Sequence, residues 1–129
     1  MNIPTTGFII QADDDDDFAA SVSAETGSGK SSRRVLWGDL QDGAALVAVW
    51  KADCGVYRAA GRRYAETFVV CEGTAVCTLG DAPPADIGVG AIVYVPADVP
   101  IVLKVVSPFR KLTIAVLQSL LTRRESHRL

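Results

Sequence analysis

From Val35 onward, apolar and polar residues alternate in short bursts broken by turn residues, and no stretch keeps a helical period. VLWGDL (35–40), a turn over Gln41-Asp42-Gly43 and AALVAVWKA (44–52) read as two strands joined through an Asp-Gly step, a strong local hairpin signal. Six more strands are expected: GVYRAA (55–60), ETFVVC (66–71), TAVCTL (74–79), AIVYVP (91–96), IVLKVV (101–106) and KLTIAVL (111–117). Turn residues separate them at about ten-residue spacing: Gly55, Gly61, Gly73, Gly80 to Pro84, Gly88 to Gly90, Pro96 to Pro100 and Ser107-Pro108. Many short, evenly spaced strands without helices between them predict an all-β antiparallel sandwich or barrel. The Glu72-Gly73 turn is expected to close a hairpin across which Cys71 and Cys77 face each other.

The ends differ in composition. Residues 1–33 hold a five-Asp run, Asp13 to Asp17, followed by small polar residues, a composition with little to bury that favours a flexible acidic, Gly/Ser-rich arm. Its one apolar piece, Phe8-Ile9-Ile10, is expected to dock as an edge strand or to pack on the body. The predicted organisation is an arm over 1–33, a barrel over 34–118 and a basic tail over 119–129, with Gln118 to Arg124 forming a short helix or coil.

Composition narrows the classes of function. At 129 residues, 49% hydrophobic and 22% charged, the chain is expected to form one soluble domain with a real core. The formal net charge is −2, and neither charged end is interleaved with aromatic residues, so no nucleic-acid partner is expected. No export signal or membrane span is visible, and a cytoplasmic protein without a membrane partner is expected. Three cysteines (Cys54, Cys71, Cys77) without a CxxC pair, and one histidine, His127, supply neither a Cys/His zinc site nor a disulfide framework.

One motif points elsewhere. AETGSGKS (24–31) fits a relaxed phosphate-binding loop, with Gly29, Lys30 and Ser31 in the phosphate- and magnesium-binding positions. That chemistry needs an apolar strand before the loop and a helix after it. Here a polar arm precedes the loop and β-branched residues follow, so it reads as a glycine-serine linker whose Lys30, Arg33 and Arg34 answer the Asp run.

Two spacings in the β-rich body identify a resemblance. Glu66 is followed by six residues and Gly73 (ETFVVCEG), and Gly90 by five residues and Pro96 (GAIVYVP). These resemble the two motifs of the cupin superfamily, the first running Gly, His-x-His, Glu, Gly and the second Gly, Pro, Gly, His, Asn. Trp50, VVCEG after Glu66 and Pro108-Phe109-Arg110-Lys111 resemble one branch, the small cupins similar to ureidoglycine aminohydrolase. The resemblance covers about residues 34–117 and implies a small jelly-roll barrel that commonly dimerises. It also implies a metal site whose histidines would fall at Ala60, Arg62 and Ile101. All three imidazoles are missing and Arg62 places a permanent positive charge there, so no metal or other cofactor is expected.

With Glu66 facing the interior, strand alternation puts Arg62, Tyr64, Phe68 and Val70 on its side. Arg62 and Glu66 form either a pair of charged anchors in a small-molecule pocket or a structural ion pair plugging the barrel. Trp50, Tyr57 and Tyr94 are candidates to line that pocket, or else core and sheet-surface aromatics. Of Arg110 and Lys111, one is expected to point inward and one outward, capping the barrel end or pairing with a carboxylate such as Glu72. The ligand-binding candidates are thus Arg62, Tyr64, Glu66, Trp50 and Tyr94, and no catalytic residue is assigned. Three functions fit: a metal-independent cupin binding a small polar metabolite, a ureidoglycine aminohydrolase-like enzyme acting on a small C–N compound, or a non-catalytic dimeric scaffold or partner-binding module with the arm as its interacting segment. The apolar strands IVLKVV and KLTIAVL suggest a homodimer.

Overall fold

The computed structural model describes residues 4–41 and 43–117; Asp42, the segment from Gln118 to Arg124 and the tail with His127 lie outside them. Ten strands are present: β1 (Val22–Ser23), β2 (Lys30–Asp39), β3 (Ala45–Ala52), β4 (Gly55–Ala59), β5 (Tyr64–Glu72), β6 (Ala75–Leu79), β7 (Ala85–Ile87), β8 (Ile92–Val95), β9 (Ile101–Val105) and β10 (Phe109–Leu117). They form two antiparallel sheets, of order β1-β2-β3-β10-β5-β8 and β4-β9-β6-β7, and no helix occurs among the described residues. This is the expected all-β architecture. The eight expected strands are present, β2 begins four residues before position 34, and β1 and β7 are additional.

Alternation explains how the sheets face each other. In β9, Ile101, Leu103 and Val105 are buried whereas Lys104 is exposed, as a strand with one face on a core requires. Phe68 and Val70 of β5, Val95 of β8 and Phe109 of β10 meet them, each at most 2% exposed, and fill one end of the space between the sheets. The β2–β3 hairpin forms with Asp39 opposite Ala45, and Asp39 Oδ1 accepts from the Gln41 and Gly43 amides.

The Glu72-Gly73 turn does something different from the expectation. β5 and β6 lie in separate sheets, so the turn carries the chain from one layer to the other and Cys71 and Cys77 are not ladder partners. Cys77 is buried, Cys71 half-buried, and both are free thiols. Gly73 has φ +80°, and a Cβ there would stand 2.0 Å from the Pro108 carbonyl oxygen. Gly73→Ala therefore combines backbone strain with a clash against main chain and is expected to cost roughly 2 kcal/mol or more. A urea-unfolding midpoint equal to that of the unchanged protein would refute this.

The N-terminal residues pack on the body. Of the expected docking piece, Phe8 and Ile9 stand exposed, Ile10 is half-buried, and none of the three forms an edge strand. Downstream, the Asp run crosses the sheet: Asp14 lies 3.4 Å from Arg34, and Asp15 accepts from both Lys51 and Arg110. The basic partners are thus Arg34, Lys51 and Arg110, where Lys30, Arg33 and Arg34 were expected. AETGSGKS is the turn between β1 and β2, closed by the Ala24 amide on the Gly29 carbonyl (2.9 Å), and Lys30 and Ser31 are already strand residues. A Cβ at Gly29 would lie 2.2 Å from the Cys54 carbonyl, so this glycine serves close packing against the loop before β4.

Candidate functional site

The end of the inter-sheet space away from the Phe68–Phe109 core is a cavity of about 740 Å³. The same inward-facing rows build both ends. Along β10, Phe109 belongs to the core while Lys111, Thr113 and Ala115 line the cavity; along β3, Ala52 belongs to the core while Trp50, Ala48 and Leu46 line the cavity. Along β5, Phe68 and Val70 lie in the core, and Glu66 and Tyr64 line the cavity.

Glu66 sits at the centre of the polar groups, 3% exposed. Its Oε1 accepts from Arg62 Nη2 at 2.9 Å, and its Oε2 accepts from Lys111 Nζ at 2.7 Å and from Thr113 Oγ1 at 3.2 Å. β10 lies beside β5 with Ala115 opposite Glu66, which places Lys111 and Thr113 on the same inward face. Arg62 arrives from the loop before β5. Its carbonyl accepts the Asp98 amide at 2.7 Å, and a Cβ at Gly61 would stand 2.5 Å from the Asp98 backbone, so Gly61 permits this contact. The Arg62 guanidinium lies 4.7 Å from the Tyr64 ring centre, and Lys111 Nζ lies 4.2 Å from that of Phe68 and 5.3 Å from that of Trp50.

These contacts set the ionisation. Burial pushes the Glu66 carboxyl up, but Lys111, Arg62 and Thr113 together outweigh it and hold the carboxyl below its ordinary value. Burial pulls the Lys111 ammonium down; Glu66 opposes that pull, the neighbouring Arg62 adds to it, and the net shift is downward. Burial also raises the thiol of Cys77 in the neighbouring core, which argues against a thiolate nucleophile there.

Four of the five ligand-binding candidates come together: Arg62, Tyr64, Glu66 and Trp50 all line the cavity. Trp50 packs edge-on against Tyr57 (5.2 Å) and Phe109 (6.1 Å), so it is both wall and core. Tyr94 does not join them. It lies on the outer face of β8, 54% exposed and opposite Thr67. Lys111 is the inward member of the Arg110-Lys111 step, and Arg110 turns outward to Glu72 at 3.1 Å. Of the groups bonded to Glu66, Thr113 was not anticipated from the sequence, and Lys111 was anticipated only as one of two residues of which one points inward. Strand alternation after Pro108 allows an inward Lys111, but only the β10–β5 register shows that it reaches Glu66.

The donor set does not fit a divalent metal. The positions of the expected imidazoles carry Ala60, Arg62 and Ile101, and the carboxylate that would complete such a site already accepts from two cations. Among the described residues, no three His, Cys, Asp or Glu side chains are grouped to hold a metal ion.

Solved structures share this architecture. The chain is similar to a predicted oxalate decarboxylase from Thermotoga maritima (TM-score 0.68, 14% identity, 85% of this chain and 99% of that one). It is also similar to the EutQ protein of Clostridium difficile (TM-score 0.63, 13% identity, 75% of each chain). A third likeness is to the cupin domain of Schizosaccharomyces pombe Cnp3 (TM-score 0.62, 12% identity, 74% of this chain and 71% of that one). No protein-family model and no curated protein matches the chain. The protein has the cupin fold, and no helix among its described residues is long and apolar enough to cross a membrane.

Proposed function

We propose that this cupin-fold protein binds a small organic anion in its inter-sheet cavity without a metal. The observation that carries the reading is the charge count around Glu66: two cations, Arg62 and Lys111, share one carboxylate. The cluster holds one positive charge in excess in a partly desolvated setting, where an anionic group is favoured. Arg62 is 30% exposed and donates to Glu66 through Nη2, leaving the rest of its guanidinium fork for a ligand carboxylate. Leu46, Ala48, Ile101 and Leu103 supply an apolar wall for the ligand's body. The volume of the cavity supports a binding role over a plug, since Arg62 and Glu66 touch while space remains beside them. The ureidoglycine aminohydrolase-like reading depends on manganese ligands whose places Arg62 and Ile101 hold, and it is set aside.

A thermal-shift panel of small mono- and dicarboxylates tests the proposal. At least one member should raise the melting temperature of the unchanged protein by several degrees, and Arg62→Ala should abolish that rise. No stabilising anion in such a panel would end this reading.

We also propose that two copies pair through the outer face of the larger sheet. Ile92, Tyr94 and Ile114 project there, 75%, 54% and 50% exposed, with Thr67 standing opposite both Tyr94 and Ile114. β10 supplies this face, whereas Ile101, Leu103 and Val105 of IVLKVV point into the core. Light scattering after size exclusion should give a dimer at micromolar concentration and a monomer for Ile114→Asp. A monomer for the unchanged chain would refute the pairing.

A further inference from the structure

We infer that Lys111 condenses with the carbonyl group of a small 2-oxo acid held in the cavity, forming a Schiff base. The inference rests on the organic-anion reading and adds to it a ligand class and a covalent step. A lysine in a cavity wall is unusual chemistry to bury, because an ammonium gives up its hydration there. Lys111 is nevertheless 8% exposed, against the Trp50 and Phe68 rings, with its Nζ on the buried Glu66 carboxylate. A desolvated lysine beside a second cation is the setting in which an amine becomes nucleophilic near neutral pH. Arg62 is that second cation, and burial and Arg62 both pull the Lys111 ammonium down.

The geometry selects the ligand class. Arg62 and Lys111 bond to the two different oxygens of Glu66, so the two cations flank one carboxylate. A 2-oxo acid carries its carbonyl carbon directly on its carboxylate carbon. With the carboxylate on the free side of Arg62, the carbonyl carbon comes within reach of Lys111, and the remaining substituent faces Leu46, Ala48 and Leu103.

Glu66 supplies the proton relay. The Lys111 ammonium passes a proton to Glu66 Oε2 across the 2.7 Å hydrogen bond. The free amine attacks the carbonyl carbon, a C–N bond forms, and the C=O π pair moves to oxygen, which receives a proton from the same nitrogen. The resulting carbinolamine takes the proton back from Glu66 onto its hydroxyl and loses water as the nitrogen lone pair forms C=N. The net change is ammonium plus carbonyl giving iminium plus water, with Glu66 returned as carboxylate and no oxidant or co-reactant required.

Reductive trapping of the full chain with pyruvate and cyanoborohydride tests this, read by intact mass and peptide mapping. The expected result is one reduced pyruvate per chain, located at Lys111, while Lys30, Lys51 and Lys104 stay unmodified at the same dose. Lys111→Arg should remove the adduct. Arg62→Ala should raise the pyruvate concentration for half-labelling by about tenfold or more, as loss of a charge-assisted contact implies. The mapping on the unchanged protein needs no variant to fold. Labelling spread over all four lysines, or no label at Lys111, overturns the inference. Arg62-dependent thermal stabilisation by carboxylates together with no Lys111 adduct would overturn this step alone and leave the organic-anion reading intact.

Discussion

Glu66→Ala is expected to destabilise the protein by about 3–5 kcal/mol, because it strands two cations in a desolvated cavity. Among the described residues, Lys111 and Arg62 lose the carboxylate they share, and Thr113 loses its acceptor. Adding Lys111→Met should recover a large part of the loss, since a buried pair replaced by apolar groups is often near neutral. The pH dependence has a determined sign. The folded-state pKa of Glu66 is depressed, so its contribution is present above the ordinary carboxylate value and is lost as pH falls through the folded value. The folded-state pKa of Lys111 is also depressed, so the unfolded chain binds more protons between the folded and ordinary lysine values, and stability rises with pH across that window. Without Glu66 the window opens at lower pH. Urea unfolding should therefore show a smaller deficit for Glu66→Ala at about pH 9 than at about pH 6. A deficit below about 1 kcal/mol, or one independent of pH, would mean that Glu66 does not neutralise buried charge here.

How this site could be read from sequence depends on how far apart its parts lie along the chain. The Arg62–Glu66 pair is local, four residues apart, so carrying the β5 alternation back past Tyr64 anticipates the pairing even though Arg62 itself lies in the loop before the strand. Lys111 lies 45 residues from Glu66, and its approach depends on β10 pairing with β5, with a register shift between Arg110 and Lys111. No local pattern encodes that shift. Tyr94 illustrates the opposite failure: an aromatic strand residue gives no sign of its face until its partner, exposed Thr67, is known. The short strands β1 and β7 escaped notice because two and three residues do not make a period, and β7 follows Pro83-Pro84 directly. The hairpin expected at Glu72-Gly73 went wrong for a related reason. A tight glycine turn can return a strand along its own sheet or carry it to the facing one, and the deciding neighbour, Pro108, is distant in sequence.

Arg110→Ala should release the acidic arm, which ties the docking of residues 12–23 to the cavity itself. The Asp run looks like solvated coil in isolation, yet Asp15 reaches Lys51 and Arg110, 36 and 95 residues away. Arg110 is the centre of that contact: 9% exposed, it donates to Glu72, to the Ala12 and Asp14 carbonyls and to the Asp15 carboxylate. Phe18 completes the anchor, with Lys51 Nζ 4.2 Å above its ring. Ala19, Ala20 and Val22 follow immediately and form part of the cavity wall, so freeing Arg110's partners opens that wall to water. Removing the guanidinium should cost about 2–3 kcal/mol of arm docking, the scale of a charged group's hydrogen bonds, and should leave the two-sheet core folded. Limited proteolysis should then cut before residue 24 at least tenfold faster, and the anion-induced thermal shift should fall in parallel. Acid should mimic the substitution: the Lys51 and Arg110 contacts hold the Asp15 carboxyl below its ordinary value, so the attachment persists above that value and loosens as pH falls through the folded one. An arm that stays protected from protease in Arg110→Ala would show that backbone pairing through β1, and not this cluster of charges, closes the cavity.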